Sequence, residues 1–138
     1  MAETGRMAGN ANCMNIDFAL VLLLLLFIKH FICDYLLQTQ FMLENKGIYG
    51  HEGGMLHAAI HGLGTMLAVM IFGLFSVGSV FFGLILGFLD SLIHYHIDYF
   101  KVKYSKSLTP NDKQFWVAFG LDQFCHHLTY IILVASLL

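Results

Sequence analysis

The sequence predicts an all-α fold, a polytopic membrane protein built as an antiparallel bundle of four transmembrane helices. Of its 138 residues, 58% are hydrophobic and only 12% are charged, which is more apolar surface than a soluble domain of this size can bury. Stretches of about 20 apolar residues are long enough to cross a hydrocarbon core of about 30 Å. Their continuous apolar character, as in Leu20–Ile28, excludes the alternating strands of an outer-membrane barrel. The stretches are Ile16–Gln38, Met55–Phe75, Val77–Phe100 and Phe115–Leu137.

The first apolar stretch resembles the core of a signal peptide. It is too long for one, however, and leads into Lys29 and His30 instead of a small-residue cleavage site. We therefore expect a retained first helix that opens a single four-helix transmembrane domain, residues 16–138. Residues 1–15 are small and polar and are expected to form a disordered tail. Met14 as an alternative natural start stays open.

The connections between the stretches define which helices are neighbours. Glycines break any helical pattern within Thr39–Gly54, and Phe75–Gly78 is so short that the second and third helices must be antiparallel neighbours. Thr109 is predicted to cap the fourth helix, with Pro110 at its first position. Small residues spaced by four on the third helix are expected to seat a neighbouring helix or a second copy of the chain. This stripe consists of Ser79, Gly83, Gly87 and Ser91.

Each predicted helix carries acids or histidines four residues apart, so that each set lies on one helical face. At about 1.5 Å per residue, all the sets fall within about 15 Å of the same membrane surface. Successive helices run in opposite directions, so a random scatter of polar residues would not produce one common depth. We therefore expect a shared polar site. The sets are His30/Asp34 with Gln38 one turn on, His57/His61, Asp90/His94/Asp98, and Asp122/His126.

The distribution of basic residues predicts the orientation. The side that holds the two polar loops has five lysines, whereas the other side has Arg6 alone. By the positive-inside rule the lysine side is cytoplasmic, so both termini lie outside the cytoplasm and the polar site opens toward it. We expect a multi-pass protein of the bacterial inner (cytoplasmic) membrane. A net charge of −2 without a basic tract argues against nucleic-acid binding.

Two interpretations explain the buried pairs. Asp–His hydrogen bonds between helices would act as structural glue, worth about 0.6–2 kcal/mol per contact. Alternatively, carboxylates and imidazoles bind a divalent transition metal, with zinc expected, and histidines spaced by four are a known chelating geometry. The size of the set favours the metal, and one or two ions remain open. The predicted ligands are His30, Asp34, His57, His61, His94, Asp98 and His126, with Asp90 and Asp122 as catalytic proton acceptors.

Function is predicted from the placement of this site. The outer half of the predicted bundle offers an ion almost no polar group, so a pocket open only to the cytoplasm fits catalysis better than transport. We expect a metal-dependent hydrolase of a lipid-like or membrane-delivered substrate. A metal-ion or proton carrier is the alternative, and a non-enzymatic membrane protein is the third.

The combination of these spaced motifs resembles a bacterial membrane family, the one catalogued as domain of unknown function 3307. The motifs are His30-x3-Asp34-x3-Gln38, His57-x3-His61, Asp90-x3-His94-x3-Asp98 and Asp122-Gln123-x2-His126. The resemblance covers Met14–Leu138 and implies a membrane protein without an assigned activity. The site chemistry is also similar to that of small inner-membrane metal-dependent hydrolases, an analogy that assigns no residue roles.

Overall fold

The chain is helical throughout the region described by its computed structural model. That region comprises the backbone of residues 2–73 and 77–137 and the side chains of residues 16–73 and 78–137. No strand occurs within these ranges, which confirms the predicted all-α class. The elements are α1 (Ala2–Phe31), a π-helical turn (Ile32–Leu36), α2 (Gln40–Asn45), α3 (Glu52–Phe72), α4 (Val77–Ser105) and α5 (Lys113–Ala135).

Four of these helical segments are long and apolar enough to cross a membrane. Their outward faces carry large hydrophobic side chains, such as Leu24, Phe88 and Leu121, each more than half exposed. Such faces would be costly in water but match a hydrocarbon environment. The protein is therefore a multi-pass membrane protein. The spans are Ile16–Leu36, Glu52–Phe72, Gly78–Ser105 and Lys113–Ala135.

The closest helix pair is α3 and α4, and small residues make this approach possible. A Cβ added to Gly87 would lie 2.5 Å from the carbonyl oxygen of Gly62, so the two backbones meet at these glycines. The Ser91 hydroxyl donates to the Ala58 carbonyl at 3.0 Å. The small-residue stripe thus packs against α3, which is the first of the two uses predicted for it, contact with a neighbouring helix. Its expected use by a second copy is not supported, because α3 of the same chain already covers it.

The half of the bundle away from the two polar loops has an apolar interior. Among the described residues, the apolar cluster in this half contains no charged side chain, and the hydroxyl within that cluster, that of Tyr130, points back toward the histidines. This layer separates the polar residues from the opposite membrane face. It consists of Leu22, Leu26, Ala68, Val69, Leu86, Tyr130, Leu133 and Val134.

Helix boundaries differ from the prediction on the polar side. The cap at Thr109 is wrong, since α5 begins at Lys113 with Asp112 as its N-cap residue. The Thr109 amide and hydroxyl both donate to Asp112 Oδ2 at 2.8 Å, which closes a turn with Pro110 at a position that proline equally favours. These hydrogen bonds hold the pKa of the Asp112 carboxyl below its ordinary value.

Three predicted boundaries concern the start of α1, the connection between α3 and α4, and the end of α4. Helix α1 begins at Ala2, and disorder of residues 1–15 stays a prediction because their side chains lie outside the described part of the chain. The predicted tight connection Phe75–Gly78 also falls largely outside the described residues. Helix α4 continues past the predicted end at Phe100 to Ser105.

Candidate metal centre

Asp34 lies in the π-helical turn that follows α1. The Leu37 amide donates to the Ile32 carbonyl at 3.0 Å, the i to i+5 bond of a π turn. Such a turn inserts an extra residue into the helix and re-aims its side chains, and it is frequent at functional sites. Here the Asp34 carboxylate points into the bundle, where its Oδ1 lies 3.0 Å from His61 Nε2 and 3.3 Å from His57 Nε2.

Four donor atoms from three elements converge beside this turn. His57 and His61 come from successive turns of α3, and His94 comes from α4, with its Nε2 3.3 Å from His57 Nε2. Donor atoms of Asp34, His57, His61 and His94 all lie within 4.8 Å of one another. In a tetrahedral site with metal–nitrogen distances of about 2.0–2.1 Å, neighbouring donors are about 3.3 Å apart. The contacts of 3.0–3.3 Å therefore match the edges of such a tetrahedron.

A single hydrogen bond from His57 Nε2 cannot account for all of its close contacts. Its Nε2 lies within 3.3 Å of three partners, namely Asp34 Oδ1, Asp98 Oδ2 and His94 Nε2. An imidazole nitrogen carries at most one proton, so it cannot donate to all three. Structural glue would be expected to pair each donor with one acceptor. Several potential metal ligands crowded around one imidazole nitrogen are instead typical of a cation site.

A second group continues the polar layer toward α5. Donor atoms of His94, Asp98 and His126 again lie within 4.8 Å of one another. His126 Nε2 is 3.7 Å from Asp98 Oδ1 and 3.5 Å from Asp122 Oδ1. The His94 ring stacks between its neighbours, with centroids 3.6 Å from His61 and 4.0 Å from His126. The two groups thus share His94 and form one continuous centre.

Several buried polar atoms in this centre lack a hydrogen-bond partner among the described residues. Buried polar groups are normally paired, and an unpaired one costs about 1–3 kcal/mol. Atoms left over at one place therefore indicate a site that receives a ligand. They are His57 Nδ1, His94 Nδ1, His126 Nε2 and Asp122 Oδ1.

Charge in the layer is unbalanced. Lys29 and Lys46 are the buried cations of the described chain, each 6% exposed. Lys29 pairs with Asp90 at 2.5 Å and Lys46 with Asp98 at 3.1 Å. The other two carboxylates of the layer, those of Asp34 and Asp122, have histidines but no lysine or arginine as ionic partners.

Asp90, predicted as a proton acceptor, occupies a separate ion pair one layer below the histidines. Its Oδ2 accepts hydrogen bonds from Lys29 and, at 2.6 Å, from Thr65. Lys29 also lies 3.3 Å from the Tyr130 hydroxyl and 3.4 Å from His61 Nδ1. Asp90 thus has its donors within the fold, and Lys29, which the sequence left without a partner, finds one there.

His30 supports the centre from the side of α1. Its Nε2 lies 3.2 Å from Asp34 Oδ2 and 3.2 Å from Gln123 Oε1, and its Nδ1 lies 2.7 Å from the Tyr130 hydroxyl. These contacts fix the second oxygen of the Asp34 carboxylate. His30 is therefore placed to orient a ligand, as residues around metal sites commonly do.

The structure brings all seven predicted ligands and Asp122 into one layer. Gln38 does not join them, because its amide nitrogen bonds the Asp34 carbonyl. Three contributing residues were missed: Thr65, Tyr130 and Lys46. The first two continue the stripes His57/His61 and Asp122/His126 by one turn, so helical spacing could have found them. Lys46 follows α2, and no periodicity points to it.

Comparison with known proteins identifies the family. Residues 22–138 match the family described as protein of unknown function (DUF3307). The chain belongs to that family. No curated protein and no solved structure matches.

Proposed function

We propose that this member of the DUF3307 family is a metal-dependent hydrolase that acts on a lipid-like substrate within the membrane. A single divalent transition metal, most suitably zinc, is held by Asp34, His57, His61 and His94. The observation that carries the proposal is the spacing of these donors, three contacts of 3.0–3.3 Å around a common point. Three imidazoles and one carboxylate are a donor set that zinc favours.

Charge supports one divalent ion. Four carboxylates share the buried layer with two ammonium groups, which leaves two negative charges without a fixed cation. Uncompensated charge costs several kcal/mol per ion in a low-dielectric interior. With neutral histidines, one divalent cation supplies the missing charge, whereas two would reverse the imbalance unless further anions joined them.

The surrounding residues have roles that suit hydrolysis. A divalent metal that took a water as a fifth ligand beside these four donors would act as a Lewis acid and lower the pKa of that water. Asp122 is the proton acceptor of the proposal, because its Oδ1 is buried without a hydrogen-bond donor next to His126. Asp98 connects His126 to His57 and orients both rings. Asp90 contributes structurally through Lys29, not as a base.

The apolar layer favours a hydrolase over a carrier. Transport needs polar groups in both membrane halves or a device for alternating access. In the far half of the described bundle, residues such as Leu22, Leu26 and Leu133 fill the interior. A metal ion that reached His61 would meet no further ligand beyond the Lys29–Asp90 pair. The site therefore suits a pocket with access from one side.

Metal content tests the proposal directly. Elemental analysis of the purified full chain in detergent is expected to find about one zinc per chain. The double variant His57→Ala, His61→Ala is expected to lose it. The matched control is His96→Ala, whose ring lies outside the centre and contacts the Leu92 carbonyl. If the wild-type chain contains no metal, or if the double variant and His96→Ala contain equal amounts, the cluster is instead a set of structural hydrogen bonds between helices.

Zinc uptake into vesicles distinguishes an enzyme from a carrier. The wild-type chain in vesicles that enclose a zinc-sensitive dye is expected to give no more uptake than the double variant. Zinc uptake that requires His61 would contradict the hydrolase and establish the carrier.

A further inference from the structure

A groove between α4 and α5 opens to the bilayer and reaches the metal centre. We infer that this groove admits the acyl chain of an anionic ester lipid, which enters sideways from the membrane and places its ester beside Asp122. The groove has a volume of about 340 Å³. Its lining is mainly apolar and carries two charged residues, Lys101 and Asp122. The other lining residues are Ile97, Phe100, Tyr104, Ala118, Leu121 and Cys125. The inference rests on the proposed hydrolase activity.

Asp122 makes this groove a binding site and not only a surface depression. The residue is 6% exposed, and its Oδ1 has no hydrogen-bond partner in the described part of the chain. The same oxygen lies 3.5 Å from His126 Nε2. Asp122 thus lies between the groove, which the residue lines, and the histidines, which its buried Oδ1 faces, so a water that enters between an ester and His126 would contact this oxygen.

Lys101 supplies the preference for an anionic headgroup. It lies one helical turn, about 5.4 Å along α4, nearer the polar side than Ile97. Its ammonium group lies 5.8 Å from the centre of the Phe119 ring and has no carboxylate partner among the described residues. A negatively charged headgroup at Lys101 would leave the acyl chain running inward along Leu121 and Cys125. The linkage between headgroup and chain then falls at the level of Asp122.

The other described grooves lack this combination. The groove between α1 and α3, of about 480 Å³, contains Lys29, but that ammonium is already paired with Asp90. The groove between α3 and α4, of about 360 Å³, contains His96 and no acid. Of these three grooves, only the one between α4 and α5 is lined both by a lysine without a carboxylate partner among the described residues and by an acid of the polar layer.

The reaction balances without a further reactant. Water adds to the ester carbonyl and the acyl carbon–oxygen bond breaks. The proton that the water loses passes through the Asp122 carboxylate to the departing alcohol. The products are a free fatty acid and a lipid with one acyl chain fewer.

Photocrosslinking measures occupancy of the groove without requiring catalysis. The full chain is reconstituted in phosphatidylcholine vesicles that contain a trace of phosphatidylglycerol with a diazirine in its acyl chain. Mass spectrometry then locates the adducts. They are expected on residues 97–104 and 118–125, and in excess over those from the matching phosphatidylcholine probe.

Two pairs of variants make the result specific. Lys101→Gln is expected to lower the phosphatidylglycerol adducts about fivefold, the effect of one basic residue at an anionic surface. Lys103→Gln is the control and is expected to leave them unchanged, because Lys103 is exposed and does not line the groove. Ala118→Phe fills the groove and is expected to abolish the adducts, whereas Ala59→Phe fills the α3–α4 groove and is not.

The outcomes distinguish this inference from the proposed function. Adducts spread evenly over all grooves, or insensitive to Lys101→Gln and Ala118→Phe, would overturn the inference even if metal is bound. Adducts that follow both variants support it even if the chain proves to lack metal, in which case the hydrolase alone fails. Thermal unfolding of each variant in detergent is measured alongside, so that a loss of folding is recognised whether or not the chain binds metal.

Discussion

At the scale of single residues, the buried Lys29–Asp90 pair shows how the fold tolerates charge below the metal centre. Thr65 and Tyr130 supplement the ion pair, so that the ammonium and the carboxylate both have several partners. A buried pair of this kind contributes little net stability against an apolar replacement, but breaking it leaves an uncompensated charge. The pair therefore fixes the position of α1 against α4 next to His61.

Lys29→Met is expected to destabilise the chain by about 3–5 kcal/mol, because Asp90 then remains charged and unpaired. The double variant Lys29→Met, Asp90→Leu removes both charges and is expected to recover most of that loss. Thermal unfolding in detergent measures both. A single variant as stable as the wild type would show that the two side chains do not form this pair. Metal content is expected to survive in the double variant, since neither residue is a proposed ligand.

At the scale of helices, the contact between α3 and α4 sets the geometry of the centre. His57 and His61 lie on one helix and His94 and Asp98 on the other, so their distances depend on how closely the two backbones approach. Gly62 and Gly87 allow that approach, since any side chain there would meet backbone atoms of the other helix. The glycines thus set the distances between the side chains of the centre, although they do not touch it.

Gly87→Ala is expected to push the helices apart and destabilise the chain by about 1–3 kcal/mol, the usual cost of overpacking. Metal content should fall with it, because donors contributed by α3 and α4 would separate. Gly120→Ala on α5 is the control, since an added Cβ there meets nothing within 4 Å. Better helix propensity should leave that variant unchanged or up to about 1 kcal/mol more stable. Equal behaviour of the two variants would contradict the close contact.

At the scale of the whole molecule, the polar layer lies toward one membrane face, and the basic loops lie on that same side. Lys101, Lys103 and Lys106 cluster at the end of α4 and just after it. From the positive-inside rule we predict that this cluster lies in the cytoplasm. The metal centre and the mouth of the α4–α5 groove would then face the cytoplasmic leaflet, which carries the anionic lipids.

Ser107→Cys, in a chain whose native cysteines are replaced by alanine, tests this orientation. A membrane-impermeant maleimide is expected to leave it unlabelled in intact cells and to label it after permeabilisation, because residue 107 is exposed in the basic loop. A cysteine at residue 5, near the start of the chain, should be labelled already in intact cells and to the same extent after permeabilisation. Labelling of Ser107→Cys from outside would invert the topology and exclude cytoplasmic access to the site.

The sequence by itself determined the class of protein, its four long helices and most of the residues of the polar layer. Composition and length are sufficient for membrane spans because the hydrocarbon core demands long apolar helices. Helical periodicity placed His57 and His61, or Asp122 and His126, on one face, since i and i+4 are neighbours in any α-helix. A common depth then implied that the sets meet. These inferences depend on local geometry alone.

Only the tertiary structure decided which atoms face one another. Lys29 pairs with Asp90 and Lys46 with Asp98 because of the rotation of each helix about its axis, and helical spacing within one segment carries no information about that rotation. The π-helical turn at Asp34 shifts its carboxylate relative to the ideal spacing. The different surroundings of the carboxylates follow from the same packing: Asp90 is paired with the Lys29 ammonium, while Asp122 lines the α4–α5 groove and keeps a buried Oδ1 without a hydrogen-bond partner among the described residues.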